Sequence, residues 1–250
     1  MSFESLLDAV FLRSQGLTAG LALGAVMVSV PLWQRAVRCP STELPRLGTA
    51  ILAAIVVGRI AWLTTTARPQ LTNPIDVVRV NTGLDMLTTA WVFALSCTWL
   101  GRRHRSALAQ YAGWALLLAP ATYAAGCLLR RDCAGRTAPP PFGVTVAGYS
   151  EFRLPIGLYE ALALITALAV TVRFRAVLLN SPYYALALLG LIEWTIEFGR
   201  IDQLTRATLG VRSVWLASSV AAFLLALAAQ QTAGPRHVLH RVVQSVHGKP

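Results

Sequence analysis

The chain has 250 residues, 55% of them hydrophobic and only 13% charged, whereas a soluble domain is nearer a quarter charged. The apolar residues cluster in runs, which argues against a soluble globule and for one all-α polytopic membrane domain spanning residues 1–250. Lys+Arg number 22 against 11 Asp+Glu, a formal charge of +11; because the arginines flank apolar runs, lipid headgroups rather than nucleic acid are the expected partners.

The opening MSFESLLDAVFLRSQG lacks a basic leader region and carries Glu4 and Asp8. It reads as an interfacial amphipathic helix rather than a cleaved signal peptide. Span one is expected from Leu17 to Trp33, with Pro31 near its exit, and span two from Leu47 to Leu63, with Arg59 inside it. Between Thr64 and Gly83 the chain is polar and turn-prone at Asn73-Pro74, so it is placed at the surface as a short re-entrant or interfacial element. Span three runs from Leu84 to Leu100, with Asp85 near its start and the basic block Gly101–Arg105 ending it sharply; span four runs from Leu108 to Leu129, kinked at Pro120.

Residues 130–157 form the largest segment outside the membrane, a small extracytoplasmic head with a proline run, Pro139 to Pro141, and short strands around Phe142 to Val146. Span five, Leu158 to Val172, begins with Tyr159-Glu160 and is closed by Arg173 and Arg175. Span six has Pro182 in its first turn, where the missing N–H is harmless, and ends at Arg200. After a linker, Ile201 to Val211, span seven runs from Arg212 to Ala229. Seven crossings put the termini on opposite faces, and the short basic loops favour the N-terminus outside and the C-terminus inside.

His237, His240 and His247 are irregularly spaced in a polar, basic tail, and no paired CxxC motif or His/Cys cluster suggests a metal. No residue pattern calls for a cofactor. Cys97 reads as buried filler, and Cys127 and Cys133 are a disulfide pair only in an oxidising compartment.

Span six carries the most informative chemistry. Glu193 and Glu197 are four residues apart and face one side of the helix, with Arg200 a turn later in reach of Glu197. A carboxylate near mid-membrane costs roughly 2.5–3.5 kcal/mol on insertion scales, so both acids should turn toward the bundle interior. Arg59 either pairs with Glu197 or Glu160 to hold helices together or touches a lipid phosphate. Asp85 either caps its helix or serves as a base. Arg136 and Arg153, with Arg130 and Arg131, form a basic rim that either anchors headgroups or admits substrate. Tyr159 either packs at the interface or orients a substrate.

Five stretches, in order, resemble the bacterial prolipoprotein diacylglyceryl transferase family: GRIAWL (Gly58 to Leu63), NPIDVVRVNTG (Asn73 to Gly83), GCLLRRDCAGRT (Gly126 to Thr137), RLPIGLYE (Arg153 to Glu160) and IEFGRIDQ (Ile196 to Gln203). The resemblance implies seven transmembrane helices with a small periplasmic head, in the bacterial inner membrane. It implies transfer of diacylglycerol from phosphatidylglycerol to the thiol of a lipoprotein precursor. Arg59, Asp85, Glu197 and Arg200 are then the candidate catalytic set, and Arg136, Arg153, Tyr159 and Glu160 the lipid-binding set. Arginine suits this chemistry because its planar fork binds phosphate oxygens in pairs. The sequence departs from the family at four positions: Thr88 stands where a catalytic histidine is expected, Ala124 and Glu193 where arginines are, and Leu154 where a second histidine is. Those losses raise an alternative, a catalytically impaired protein of the same fold serving as a structural subunit or scaffold of a membrane complex.

Overall fold

The computed structural model describes residues 22, 24–26, 28, 29, 43–65, 85–104, 108–126, 134–145, 150–173, 181–200 and 206–232. The N-terminal amphipathic helix, most of span one, the segment around Asn73-Pro74, Cys39, Cys127, Cys133, Arg130, Arg131 and the histidine-bearing tail lie outside these residues. The described elements are α1 (Leu44–Thr65), α2 (Met86–His104), α3 (Leu108–Gly126), β1 (Ala134–Thr137), β2 (Val144–Thr145), β3 (Phe152–Pro155), α4 (Ile156–Arg173), α5 (Pro182–Arg200) and α6 (Arg206–Thr232).

Helix α5 is central, touching α2, α3, α4, α6 and β1. Its buried face, with Tyr183, Leu186, Leu189, Gly190, Glu193 and Glu197, recurs at helical spacing. Small residues set the close packing, as is usual where helices meet inside a bilayer. A Cβ on Gly190 would come within 3.1 Å of the Ser219 side chain of α6, and Ser219 Oγ donates to the Ala187 carbonyl at 2.7 Å. Trp91 of α2 reaches the same seam, its indole N–H donating to Ser218 Oγ at 2.7 Å. Outside, the surface is apolar: Leu52, Val56 and Ile60 of α1 and Val220, Phe223 and Leu224 of α6 are exposed. Among the described residues, two helices, Leu44–Thr65 and Gly210–Ala229, are long and apolar enough to cross a membrane.

The sheet has strand order β1-β3-β2, both pairings antiparallel. The turn from Pro139 is closed by the Phe142 and Gly143 amides, which both donate to the Pro139 carbonyl. Strand β3 passes directly into α4, so the sheet is fixed to the helices by the backbone itself.

Two boundaries differ from the sequence reading. Helix α2 runs on from Leu100 through Gly101 to His104, so it ends inside the basic block rather than before it. Gly101 is buried while Arg102 and Arg103 are exposed, so the helix continues with its charges turned outward. The linker after Arg200 is also shorter than expected: α6 starts at Arg206, which puts Arg212 nearly two turns inside the helix.

Gly58 is a position of close contact between α1 and the start of α2. A Cβ there would collide with the Thr89 hydroxyl and lie 3.3 Å from the Asp85 carbonyl oxygen. Gly58→Ala should therefore cost about 1–3 kcal/mol, the usual penalty for overpacking. A lowered thermal midpoint of the detergent-purified protein checks this, and Thr89→Ala in the same chain should restore part of the loss.

Candidate functional site

The end of α5 and the start of α4 lie against the sheet, where Gly135 of β1 meets Gly199 and Ile156, and the first turns of α6 reach the same end of α5 through Arg212 and the Glu197 carbonyl. Of the candidate residues, Glu160, Glu197 and Arg200 meet here, and Asp85 lies at the contact of α1 and α2. The α2 start is built by Asp85: its carboxylate Oδ1 accepts the Thr88 amide at 2.7 Å, and its own amide donates to the Gly58 carbonyl at 3.2 Å. A side-chain oxygen on the third helical amide is a helix N-cap. Asp85 thus holds α2 to α1, and Thr88 is the residue whose amide it caps.

Arg200, at the end of α5, gathers three carboxylates. Its Nη2 donates to Glu160 of α4 at 2.6 Å, its Nη1 donates to Glu197 at 2.8 Å, and Glu193 Oε2 stands 3.5 Å from Nη2. The acids are buried, Glu193 at 1% exposure, while the Arg200 side chain is 39% exposed. Glu193 Oε1 is buried without a hydrogen-bond partner. The i, i+4 and i+7 spacing on α5 aims all three of its charges at one line, and Glu160 meets that line because it lies one turn into α4.

Arg212 of α6 completes the group. It is buried, its Nη2 donates to the Glu197 carbonyl at 3.0 Å, and its guanidinium lies 4.2 Å from the Phe198 ring centre. Sequence reasoning missed it because an arginine at the edge of an apolar run looks like any interface anchor. Arg59 is 2% exposed on α1 and lies 4.7 Å over the Trp62 ring. Glu160 and Glu197 both pair with Arg200.

The sheet presses on this group. A Cβ on Gly135 of β1 would meet Ile156 and sit 2.6 Å from the Gly199 carbonyl oxygen, next to Arg200. Arg153 Nη1 donates to the Gly135 carbonyl at 3.0 Å, and the Tyr159 hydroxyl donates to the Phe142 carbonyl at 2.9 Å. Arg153 thus ties β3 to β1 within the sheet, Tyr159 ties α4 to the turn before β2, and Arg136 is exposed on β1. Of the positions that depart from the family, Ala124 is fully buried in α3, and Leu154 lies 3.6 Å from where a Cβ on Gly199 would be.

Comparison with known proteins agrees with the resemblance. A family model described as prolipoprotein diacylglyceryl transferase matches residues 11–230. No curated protein matches the chain.

Proposed function

From the premise that this chain belongs to the prolipoprotein diacylglyceryl transferase family, we propose that it is a seven-span inner-membrane protein, N-terminus outside and C-terminus cytoplasmic, that seats a phospholipid at its sheet-bearing end. The activity proposed first is the family's: diacylglycerol moves from phosphatidylglycerol to a cysteine thiol of a lipoprotein precursor. The observation that carries it is the match over residues 11–230. In that reaction the thiolate attacks a glyceryl carbon and the glycerol phosphate leaves, so cations near the phosphate stabilise the departing charge. Arg136, Arg153 and Arg59 are the arginines proposed for that task, with Tyr159 and Glu160 holding the lipid's surroundings.

A second reading is favoured by one specific observation. Arg200 is engaged by three carboxylates, and an arginine in that state has little left to offer a phosphate. With Ala124 sealed in the core, phosphatidylglycerol transfer is then impaired and the protein serves as a structural subunit of a membrane complex.

The deciding experiment places the full-length protein in phosphatidylglycerol vesicles with a lipobox peptide and follows the peptide's mass. A diacylglyceryl adduct above the empty-vesicle control is the expected result of the first reading. An unmodified peptide, together with other subunits co-purifying in fixed ratio, rejects it for the second.

A further inference from the structure

We propose that the exposed stripe of Leu95, Trp99, Arg102 and Arg103 on α2 seats an anionic phospholipid, its acyl chain along Leu95 and Trp99 and its phosphate on the two arginines. This rests on the proposal that α2 crosses the bilayer, and not on the transfer reaction.

The stripe has an amphiphile's order. Leu95, Trp99 and Arg103 follow one another at four-residue spacing and share a helix face, with Arg102 beside them. Leu95 is 48% and Trp99 59% exposed, and both arginines are exposed. Apolar surface thus gives way to positive charge toward the end of the helix, as a lipid tail gives way to its headgroup. Helix α2 has 19 residues, about 28 Å at 1.5 Å per residue, close to the roughly 30 Å of a hydrocarbon core. Asp85 before its first turn and the arginines in its last therefore reach opposite interfaces. On the proposed topology the arginines meet the cytoplasmic leaflet, whose surface potential is negative.

Both guanidiniums are open to a ligand. Arg103 lies over the Trp99 ring, 5.4 Å from its centre, within the roughly 6 Å reach of a cation–π contact. The ring engages the positive charge without using its N–H groups, which remain for phosphate oxygens. Among the described residues no carboxylate pairs with Arg102 or Arg103, whereas Arg46 is paired with Glu43 and Arg200 with three acids. A zwitterionic headgroup already carries a cation beside its phosphate and gains less from two more. An anionic one brings a net charge that this pair neutralises, and each arginine near an anionic surface is worth about a fivefold shift in binding.

Quenching of tryptophan fluorescence by brominated lipid tests the seat where it lies. The full-length protein is reconstituted in phosphatidylcholine vesicles containing either phosphatidylglycerol or phosphatidylcholine brominated near the headgroup end of one acyl chain. The Trp99 share is the signal lost in Trp99→Phe. In wild type the anionic lipid should quench that share with at least about threefold higher relative affinity than phosphatidylcholine at equal mole fraction. Arg102→Gln combined with Arg103→Gln should bring the ratio to about one while both lipids still quench, and Arg103→Gln alone should fall between. These side chains are exposed, so the packed interior is left alone. If Trp99→Phe nonetheless folds poorly, the fall in total quenching from wild type to the double arginine variant is the second measure. Equal quenching by the two lipids in wild type overturns the proposal and reduces the stripe to ordinary bilayer-facing surface. Quenching of Trp99 by neither, with other tryptophans still quenched, overturns it in favour of a covering protein. Loss of quenching at every tryptophan removes the membrane-spanning premise, and the seat with it, whatever the outcome of the peptide assay.

Discussion

Replacing Arg200 with methionine is expected to destabilise the protein by about 3 kcal/mol, the low end of the 3–5 kcal/mol found when one partner of a buried ion pair is removed. The low end applies because the Arg200 side chain is 39% exposed and water screens part of its field. What remains costs more than the lost contacts. Glu160, Glu193 and Glu197 stay buried, and Arg212 reaches the Glu197 main-chain carbonyl rather than a carboxylate. At roughly 2–4 °C per kcal/mol for a chain of this size, the thermal midpoint should fall by about 6–12 °C.

Two companion variants show whether charge or volume is responsible. Arg200→Lys keeps the charge but loses the planar fork that serves Glu160 and Glu197 from separate nitrogens, so it should fall between wild type and methionine. Adding Glu193→Gln to Arg200→Met removes one orphaned carboxylate and should recover part of the loss, since charges on a shared partner couple by roughly 0.5–3 kcal/mol. If the double variant melts below Arg200→Met, the three acids are not repelling one another and the charge account is wrong.

The helices were legible because their signal is local. Apolar runs at helical spacing, Pro182 at a first turn and a polar break before each helix place α1 through α5 within a few residues, and the four-residue spacing of Glu193 and Glu197 is enough to turn both acids inward. Glu197 with Arg200 is likewise a one-turn relation. What the sequence hides is what different helices bring to one another. The pairing of Glu160 with Arg200 joins residues forty apart, and spacing offered Arg59 as an equally good partner. Arg212 looked like a boundary because its burial comes from α5 rather than from its own neighbours. Asp85 left two readings open, and only the Thr88 amide at 2.7 Å separates a cap from a base. The head was readable as turns and short strands near Phe142, but β1 and β3 are four residues each, too short for alternation to stand out.

Gly135→Ala is the second large effect, and it tests how the sheet is fixed to the charged group. Most crowded positions relax by rotating a side chain. Here the added carbon lies 2.6 Å from the Gly199 carbonyl oxygen, which is backbone in the last turn of α5 and cannot rotate aside. Either β1 lifts or the end of α5 unwinds, and both routes disturb Arg200. The Arg153 bond to the Gly135 carbonyl is strained by the same movement. A loss of about 3 kcal/mol, at the top of the usual overpacking range, is expected as a lower thermal midpoint, with protease cleavage between residues 134 and 155 appearing earlier than in wild type. Ile156→Ala in the same chain removes the other obstacle, the Cγ1 and Cδ1 atoms of Ile156, yet leaves the carbonyl in place. Recovery should therefore be partial. Full recovery would mean that Ile156 alone was crowded, and that β1 can move away from α5 without cost to the ion pairs beneath it.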